Sequence, residues 1–419
     1  MRVERCKGCR DLSPEEMSRF RFIEDAFRDC CQGWGFSEVR TPTLEYLHLF
    51  TATGTLTPAM LSRVYSFLDW DGWSGQRVVL RPDGTIPLAG FYIDNMMGRG
   101  LAKLFYVTNI FRFEETGAEA RERWQGGVEL IGVASPLADV ALISMALEAL
   151  NRVGVKDVEL RLSHAGVIRS LLAELRLSLR EQVRVLDQIL DGDSEALARI
   201  KSERPKLSKA LTSLLDLKGD SSDILKDTRA LFSRSFPALE PHMDNLISIV
   251  SLLETMGYHY QIDIASGRGF EYYTGVIFQL FTGEDKVGGG GRYDALIPLM
   301  GGGDIPASGF ALYFDHLMDL VAPAALPRSK AQRVLIGTAS GAVKRGFDIA
   351  RRLQEAGYVA EIKLGEKAPD DSRWHLEVRE EAPFFVMTDL VKHQKLELAT
   401  ADEVLRLVGE GNVTEDSLT

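Results

Sequence analysis

Cysteine is scarce: the 419-residue chain has four, all within its first 31 positions. Cys6 and Cys9 have a CxxC spacing, but no second CxxC or nearby histidine completes a zinc tetrahedron, and Cys30-Cys31 lie side by side on a predicted helix. No metal site is expected, and the thiols read as reduced and partly buried. Long apolar runs are missing as well. None reaches the ~20 residues of a membrane span, and Met1 to Arg10 lacks the apolar stretch of a signal peptide, so no membrane partner is expected and the cytoplasm is the default location. Positive charge is in deficit: 49 Lys and Arg face 60 Asp and Glu, a net charge of −11. That balance disfavours a protein whose main task is holding a polyanion, although a local basic patch could still bind nucleic acid. What remains is 45% apolar and 26% charged, a globular make-up with material for two or three cores.

Ser13-Pro14-Glu15-Glu16 has the grammar of a helix start, with a hydroxyl cap, an early proline and a glutamate three residues after the cap. Phe20, Ile23 and Phe27 follow at helical spacing until Gly33 and Gly35. Phe36 to Glu45 reads as a strand broken by Pro42, and Val78–Leu80, Leu104–Val107 and Val128–Ile131 are further β-rich runs. Turns and short polar loops link several of them, without regular crossover helices, which predicts an α+β fold built on an antiparallel sheet with flanking helices. A helix is predicted after Ser135-Pro136, a helical insertion over about 165–258, and another helix over Ala311 to Val321. The first domain would span 1–321, with a proline-containing linker over 322–330. Beyond it, Val334–Ile336, Val343–Ala356, Phe384–Met387 and Thr400–Val408 alternate strand and helix signals, predicting a small α/β domain over 331–419.

Three clusters could carry chemistry. Arg81-Pro82-Asp83-Gly84-Thr85 offers a carboxylate and a hydroxyl at a turn, suited to an ammonium group, although an ordinary proline turn reads equally simply. Arg112 ends one strand, and on the returning strand Gln125, Gly127 and Glu129 share a face by the period-two rule. Arg268 to Gly275 combines a guanidinium, able to hold a carboxylate bidentately, with the phenols of Tyr272 and Tyr273. Gly288 to Gly291 lacks a Walker Lys-Ser/Thr or a dinucleotide GxGxxG spacing and reads as a sharp bend or close backbone packing.

Lys7–Asp11, Gly35–Glu45 with Pro42, Arg81–Thr85, Phe111–Glu114, Gln125–Glu129, Arg268–Gly275, Gly289–Asp294 and Ala307–Phe310 resemble, in this order, the class II histidyl-tRNA synthetase superfamily. The resemblance covers most of residues 1–320. It implies a class II antiparallel sheet, a helical insertion, and a homodimer formed partly through the first motif. It also implies a pocket for free histidine, with Asp83, Thr85 and Gln125 on the ammonium, Glu129 and Tyr273 on the imidazole, Arg268 on the carboxylate, and Arg112 and Tyr272 in the same pocket.

The nucleotide half departs from the charging enzymes. His316 stands where a third-motif arginine would stack on ATP, which replaces a fixed cation by a group largely neutral at pH 7. The second-motif loop, 115–123, is short and presents Glu115, Glu119 and Glu122 beside Arg121, with Arg123 where an aromatic ring is usual. Each acid near a triphosphate would weaken binding by ~1 kcal/mol or more, so Glu119, Arg121, Arg123 and His316 read as a degenerate nucleotide site without catalytic residues. The resemblance is therefore closer to the non-charging branch, whose members regulate ATP phosphoribosyltransferase in histidine biosynthesis. The partners expected are free histidine and a catalytic ATP phosphoribosyltransferase chain, with no cofactor. A divergent charging enzyme, needing ATP and magnesium, is the alternative. Residues 331–419 resemble an anticodon-binding domain only in outline, and their 12 Lys and Arg against 16 Asp and Glu argue against tRNA.

Overall fold

The computed structural model describes residues 4–52, 61, 63–69, 75–114, 116, 119–191, 193–266, 272–322, 333–365 and 372–413. The chain divides into two compact units, Met1–Leu326 and Pro327–Thr419. Among the described residues no helix is long and apolar enough to cross a membrane.

The first unit opens with helix Pro14–Gly33, and both halves of the Ser13/Glu16 capping box are formed. The predicted strand across Phe36 to Glu45 is instead two short ones, β1 (Ser37–Glu38) and β2 (Leu44–Tyr46), which join different sheets. Pro42 has no N–H for a ladder, so pairing stops and the chain changes partner there. β2, β3 (Ser66–Leu68) and β4 (Arg77–Leu80) form a small antiparallel sheet.

The main sheet has nine strands. These are β1, β5 (Ala102–Phe111), β6 (Glu122–Ile131), β7 (Glu159–His164), β8 (Lys218–Gly219), β9 (Gln261–Asp263), β10 (Val276–Thr282), β11 (Asp285–Arg292) and β12 (Ala307–Tyr313), in the order β1-β5-β6-β12-β11-β10-β7-β9-β8. The central strands are antiparallel, and only β1 on β5 and β7 on β9 run parallel. One face, with Phe105, Val128, Leu130, Phe310 and Leu312, packs on helices Pro14–Gly33 and Pro136–Arg152. The insertion's helices share that core through Leu211, Leu225, Met243 and Leu246. Leu104, Tyr106, Ile131 and Ala307 point to the other face, where Leu88 and Tyr92 of helix Thr85–Met96 cover them.

One stretch differs from its sequence-based expectation, and a glycine run decides between its two. Residues 307–313 form β12, and the helix begins only at Phe314. Pairing to β6 and β11 makes 307–313 a strand, with small Ala307, Gly309 and Ala311 on one face and Ser308, Phe310 and Leu312 on the other. Gly288 to Gly291 does not bend sharply but runs through the middle of the sheet as part of β11. A Cβ on Gly290 would lie 2.1 Å from the Gly309 carbonyl oxygen, so close backbone approach is the reason for glycine there.

In the second unit, strands β13 (Arg333–Thr338), β14 (Val359–Ile362), β15 (Trp374–Val378), β16 (Phe385–Asp389) and β17 (Gln394–Leu398) form a mixed sheet ordered β14-β13-β15-β16-β17. Helices Val343–Glu355 and Ala401–Val413 contribute to its core, the second capped by Thr400 and Glu403.

Candidate functional site

A cavity of about 450 Å³ opens on the face of the main sheet opposite helices Pro14–Gly33 and Pro136–Arg152. Its floor follows from register. Glu129 pairs with Gly309, Gly127 with Ala311, and Gln125 with Tyr313, while Gly309 and Ala311 pair in turn with Gly291 and Gly289. By period two these residues share one face, whose centre at Gly127, Gly289, Gly291, Gly309 and Ala311 carries almost no side chains. A Cβ on Gly127 would sit 2.1 Å from the Tyr106 ring, and one on Gly309 would sit 2.0 Å from Glu129 Oε2.

The opposite side of the same strands is braced. Arg292 is held by Asp139 at 2.7 Å and Asp294 at 3.0 Å, and it also donates to the Val133 carbonyl. This buried pair fixes β11 against helix Pro136–Arg152 and takes no part in lining the cavity.

The Arg81–Thr85 turn forms one wall. Arg81 is buried and tied to the carbonyls of Thr41, Pro42 and Asn109 and to Asn109 Oδ1, at 2.7–3.0 Å, which anchors the turn to β5. Asp83 Oδ1 accepts the Ile86 N–H at 2.9 Å, capping helix Thr85–Met96. Asp83 is thus part of the turn's own hydrogen bonding. Burial pushes the Asp83 carboxyl up, against the lowering pull of that N–H and of Arg112.

Glu129 is 1% exposed and hydrogen-bonds the Tyr293 hydroxyl. Desolvation pushes its carboxyl well above the ordinary range; Thr85 opposes this and the nearby Asp83 adds to it. Gln125 Nε2 donates to the Tyr106 hydroxyl at 3.0 Å. Tyr272 and Tyr273 stand edge to face with centroids 5.0 Å apart, and the Tyr272 hydroxyl is buried without a partner. A buried orphan hydroxyl between two carboxyls is a place for a polar ligand. The arrangement offers acids for a cation and phenols for a ring N–H or nitrogen acceptor.

Asp83, Thr85, Arg112, Gln125, Tyr272 and Tyr273 line the cavity, whereas Glu129 does not line it but lies buried behind it, in contact with the lining Tyr293. Arg268, the expected carboxylate partner, falls outside the described residues. Sequence reasoning missed Tyr106, Tyr293 and Tyr313. Tyr106 is signalled only by its register opposite Gly127, and Tyr293 only by the glycines before it.

At the outer end, Arg123 and His316 line the cavity, whereas Glu119 and Arg121 do not. Arg123 is engaged by Glu119 at 2.7 Å. Arg121 turns away to the Glu114 carbonyl at 2.6 Å and lies over the Phe113 ring. Glu122 accepts from Asn109 at 2.7 Å. The expected confrontation of three acids with a triphosphate is therefore not what these residues make: Glu119 and Glu122 are paired locally, and Glu115 falls outside the described residues. His316 is exposed, and beside it Asp315 takes the Trp124 N–H at 2.5 Å and Arg10 at 3.3 Å.

The family model for histidyl-tRNA synthetase matches residues 8–317. An ATP phosphoribosyltransferase regulatory subunit of Dehalococcoides mccartyi is 50% identical, over 97% of this chain and 98% of that protein. A histidine–tRNA ligase of Methanococcus maripaludis is 35% identical over 85% of this chain and 86% of that one. Among solved structures, a regulatory subunit/histidyl-tRNA synthetase from Bacillus halodurans superposes with a TM-score of 0.74 at 24% identity, covering 88% of this chain and 95% of that one. This last likeness speaks for the fold.

Proposed function

The chain belongs to the histidyl-tRNA synthetase family, and from that premise we infer that it is the non-catalytic regulatory subunit of ATP phosphoribosyltransferase, the first step of histidine biosynthesis, rather than a tRNA-charging enzyme. The observation that carries the inference is the asymmetry of one cavity. Its inner half is lined by the Asp83 carboxyl, the Gln125 amide and the Tyr272 and Tyr273 phenols, with Arg112 beside them and the Glu129 carboxyl buried behind Tyr293. In its outer half Arg123 is neutralised by Glu119, Arg121 faces away, and His316 stands in place of a fixed cation.

Free histidine fits the inner half, with its ammonium at Asp83, Thr85 and Gln125 and its imidazole between Glu129 and Tyr273. Binding there would favour one arrangement of β6 and the Tyr272–Tyr273 wall. Through contact with a separate catalytic chain, that differential affinity would shift the activity of the complex. No cofactor enters this reading, and a cytoplasmic homodimer is its natural form.

Two measurements test it together. Calorimetric titration with histidine should show saturable binding, and ATP–pyrophosphate exchange with histidine should stay at background. Exchange at a synthetase-like rate would overturn the regulatory reading, and absence of histidine heat would overturn the ligand.

A further inference from the structure

The four cysteines fall into two kinds. Cys30 and Cys31 are buried, and desolvation pushes both thiols up, Cys30 to about 11, which leaves them inert. Cys6 and Cys9 are exposed. Between them Gly8 has φ +72° and the Cys9 N–H donates to the Cys6 carbonyl at 3.1 Å. That is a β-turn with the two cysteines at its first and fourth positions. Such a turn holds its end Cα atoms within about 7 Å, overlapping the ~4.4–6.8 Å that a disulfide spans. The side chains also meet. The Cys9 thiol is raised first by desolvation and then by the charge of Cys6 and a hydrogen bond to it.

This turn is fastened to the rim of the cavity. Arg121 Nη1 lies 3.6 Å from Cys6 Sγ, so the guanidinium is in direct contact with that sulfur. The Arg121 N–H donates to the Gly8 carbonyl at 2.8 Å, and the Arg121 carbonyl accepts the Arg112 N–H at 2.9 Å. A Cβ on Gly8 would lie 2.8 Å from both the Glu119 carbonyl oxygen and Arg121 Cγ. The dithiol is thus one residue away from the loop that sets Arg112 and Arg123.

We propose that Cys6 and Cys9 form a reversible disulfide by exchange with a low-molecular-weight disulfide, and that Arg121 transmits the change to the rim of the cavity. The Cys6 thiolate attacks one sulfur of the small disulfide, breaking its S–S bond and expelling one thiolate. Cys9 then gives its proton to solvent and attacks Cys6 Sγ, expelling the second small thiolate. The protein dithiol is oxidised, and the small disulfide is reduced to two thiols. Bonding to Cys9 draws the Cys6 sulfur toward its partner and disturbs its 3.6 Å contact with Arg121 Nη1.

The test uses the full-length protein equilibrated in glutathione redox buffers, with thiol alkylation, peptide mass spectrometry and hydrogen exchange. The wild type should lose two hydrogens in the peptide holding Cys6 and Cys9 and regain them with dithiothreitol, while Cys30 and Cys31 remain alkylatable after unfolding. Cys9→Ser should retain one glutathione on Cys6. Oxidation should speed exchange at the Arg112 and Arg121 amides several-fold, and Cys6→Ser should show that faster exchange without oxidant. A dithiol that stays reduced, or carries a stable mixed disulfide in the wild type, would overturn the site; oxidation with unchanged exchange at both amides would overturn the coupling. Neither readout depends on histidine binding.

Discussion

Glu129 is the residue whose environment asks most of a ligand. A carboxyl buried at the end of a cavity and facing Tyr293 and Thr85 is held up in pKa by desolvation, and a cationic or ring N–H partner relieves that cost. Glu129→Gln keeps the shape and removes the charge, so histidine affinity should fall by ~1.5–3 kcal/mol, roughly ten- to a hundredfold, with the melting temperature little changed. Titration calorimetry beside thermal unfolding reads both. Because burial also holds the Asp83 carboxyl up, an arriving ammonium lowers its pKa. Binding should therefore release protons, visible as an enthalpy that depends on the buffer's ionisation heat.

His164 makes the opposite kind of statement. Nδ1 accepts the Val167 N–H at 3.4 Å and Nε2 faces Asn245 Oδ1 at 3.2 Å, which suits only the neutral ring. Burial first and then His242 depress its pKa from 6.5 to about 3. The unfolded chain takes up the proton first, so the stability His164 contributes is whole above 6.5 and lost as pH falls below it, at about 1.4 kcal/mol per unit. Urea unfolding at pH 7 and pH 5 should differ by up to ~2 kcal/mol from this source, and His164→Asn should flatten the difference. Its titration was not legible in the sequence, because Asn245 and His242 are brought to it only by the folded insertion.

At the scale of elements, the cavity is made by what β6, β11 and β12 leave out. The period-two reading of Gln125, Gly127 and Glu129 placed one strand's contribution correctly, since it needs only local alternation. Reading 311–313 as the start of a helix hid the rest. The apolar Phe310-Ala311-Leu312 run fits either element, and only pairing to Gly127 and Gly289 decides it. Gly309→Ala should consequently abolish histidine binding and cost about 1–3 kcal/mol in urea unfolding, because its methyl meets Glu129 Oε2 and the Val128 carbonyl at 2.0 and 2.3 Å. A swap at exposed Gly98, where a Cβ meets nothing within 4 Å but φ is +86°, should leave binding intact and show only backbone strain.

For the whole molecule, the order of motifs along the chain predicted the family, because ordered motifs reflect one topology. Assembly is less legible, since exposed faces arise from packing. The β2-β4-β3 sheet leaves Leu44, Tyr46, Phe67 and Leu68 between 42% and 60% exposed, an apolar patch next to the first motif that a homodimer would cover. Phe67→Asp with Leu68→Asp should shift sedimentation toward the monomer. The regulatory account itself is tested most directly by reconstitution with a catalytic ATP phosphoribosyltransferase chain, following formation of phosphoribosyl-ATP as histidine is added. The two chains should co-elute, and histidine should suppress turnover of the complex in the wild type but far less with Glu129→Gln. Identical turnover with and without this chain at every histidine concentration would contradict the account.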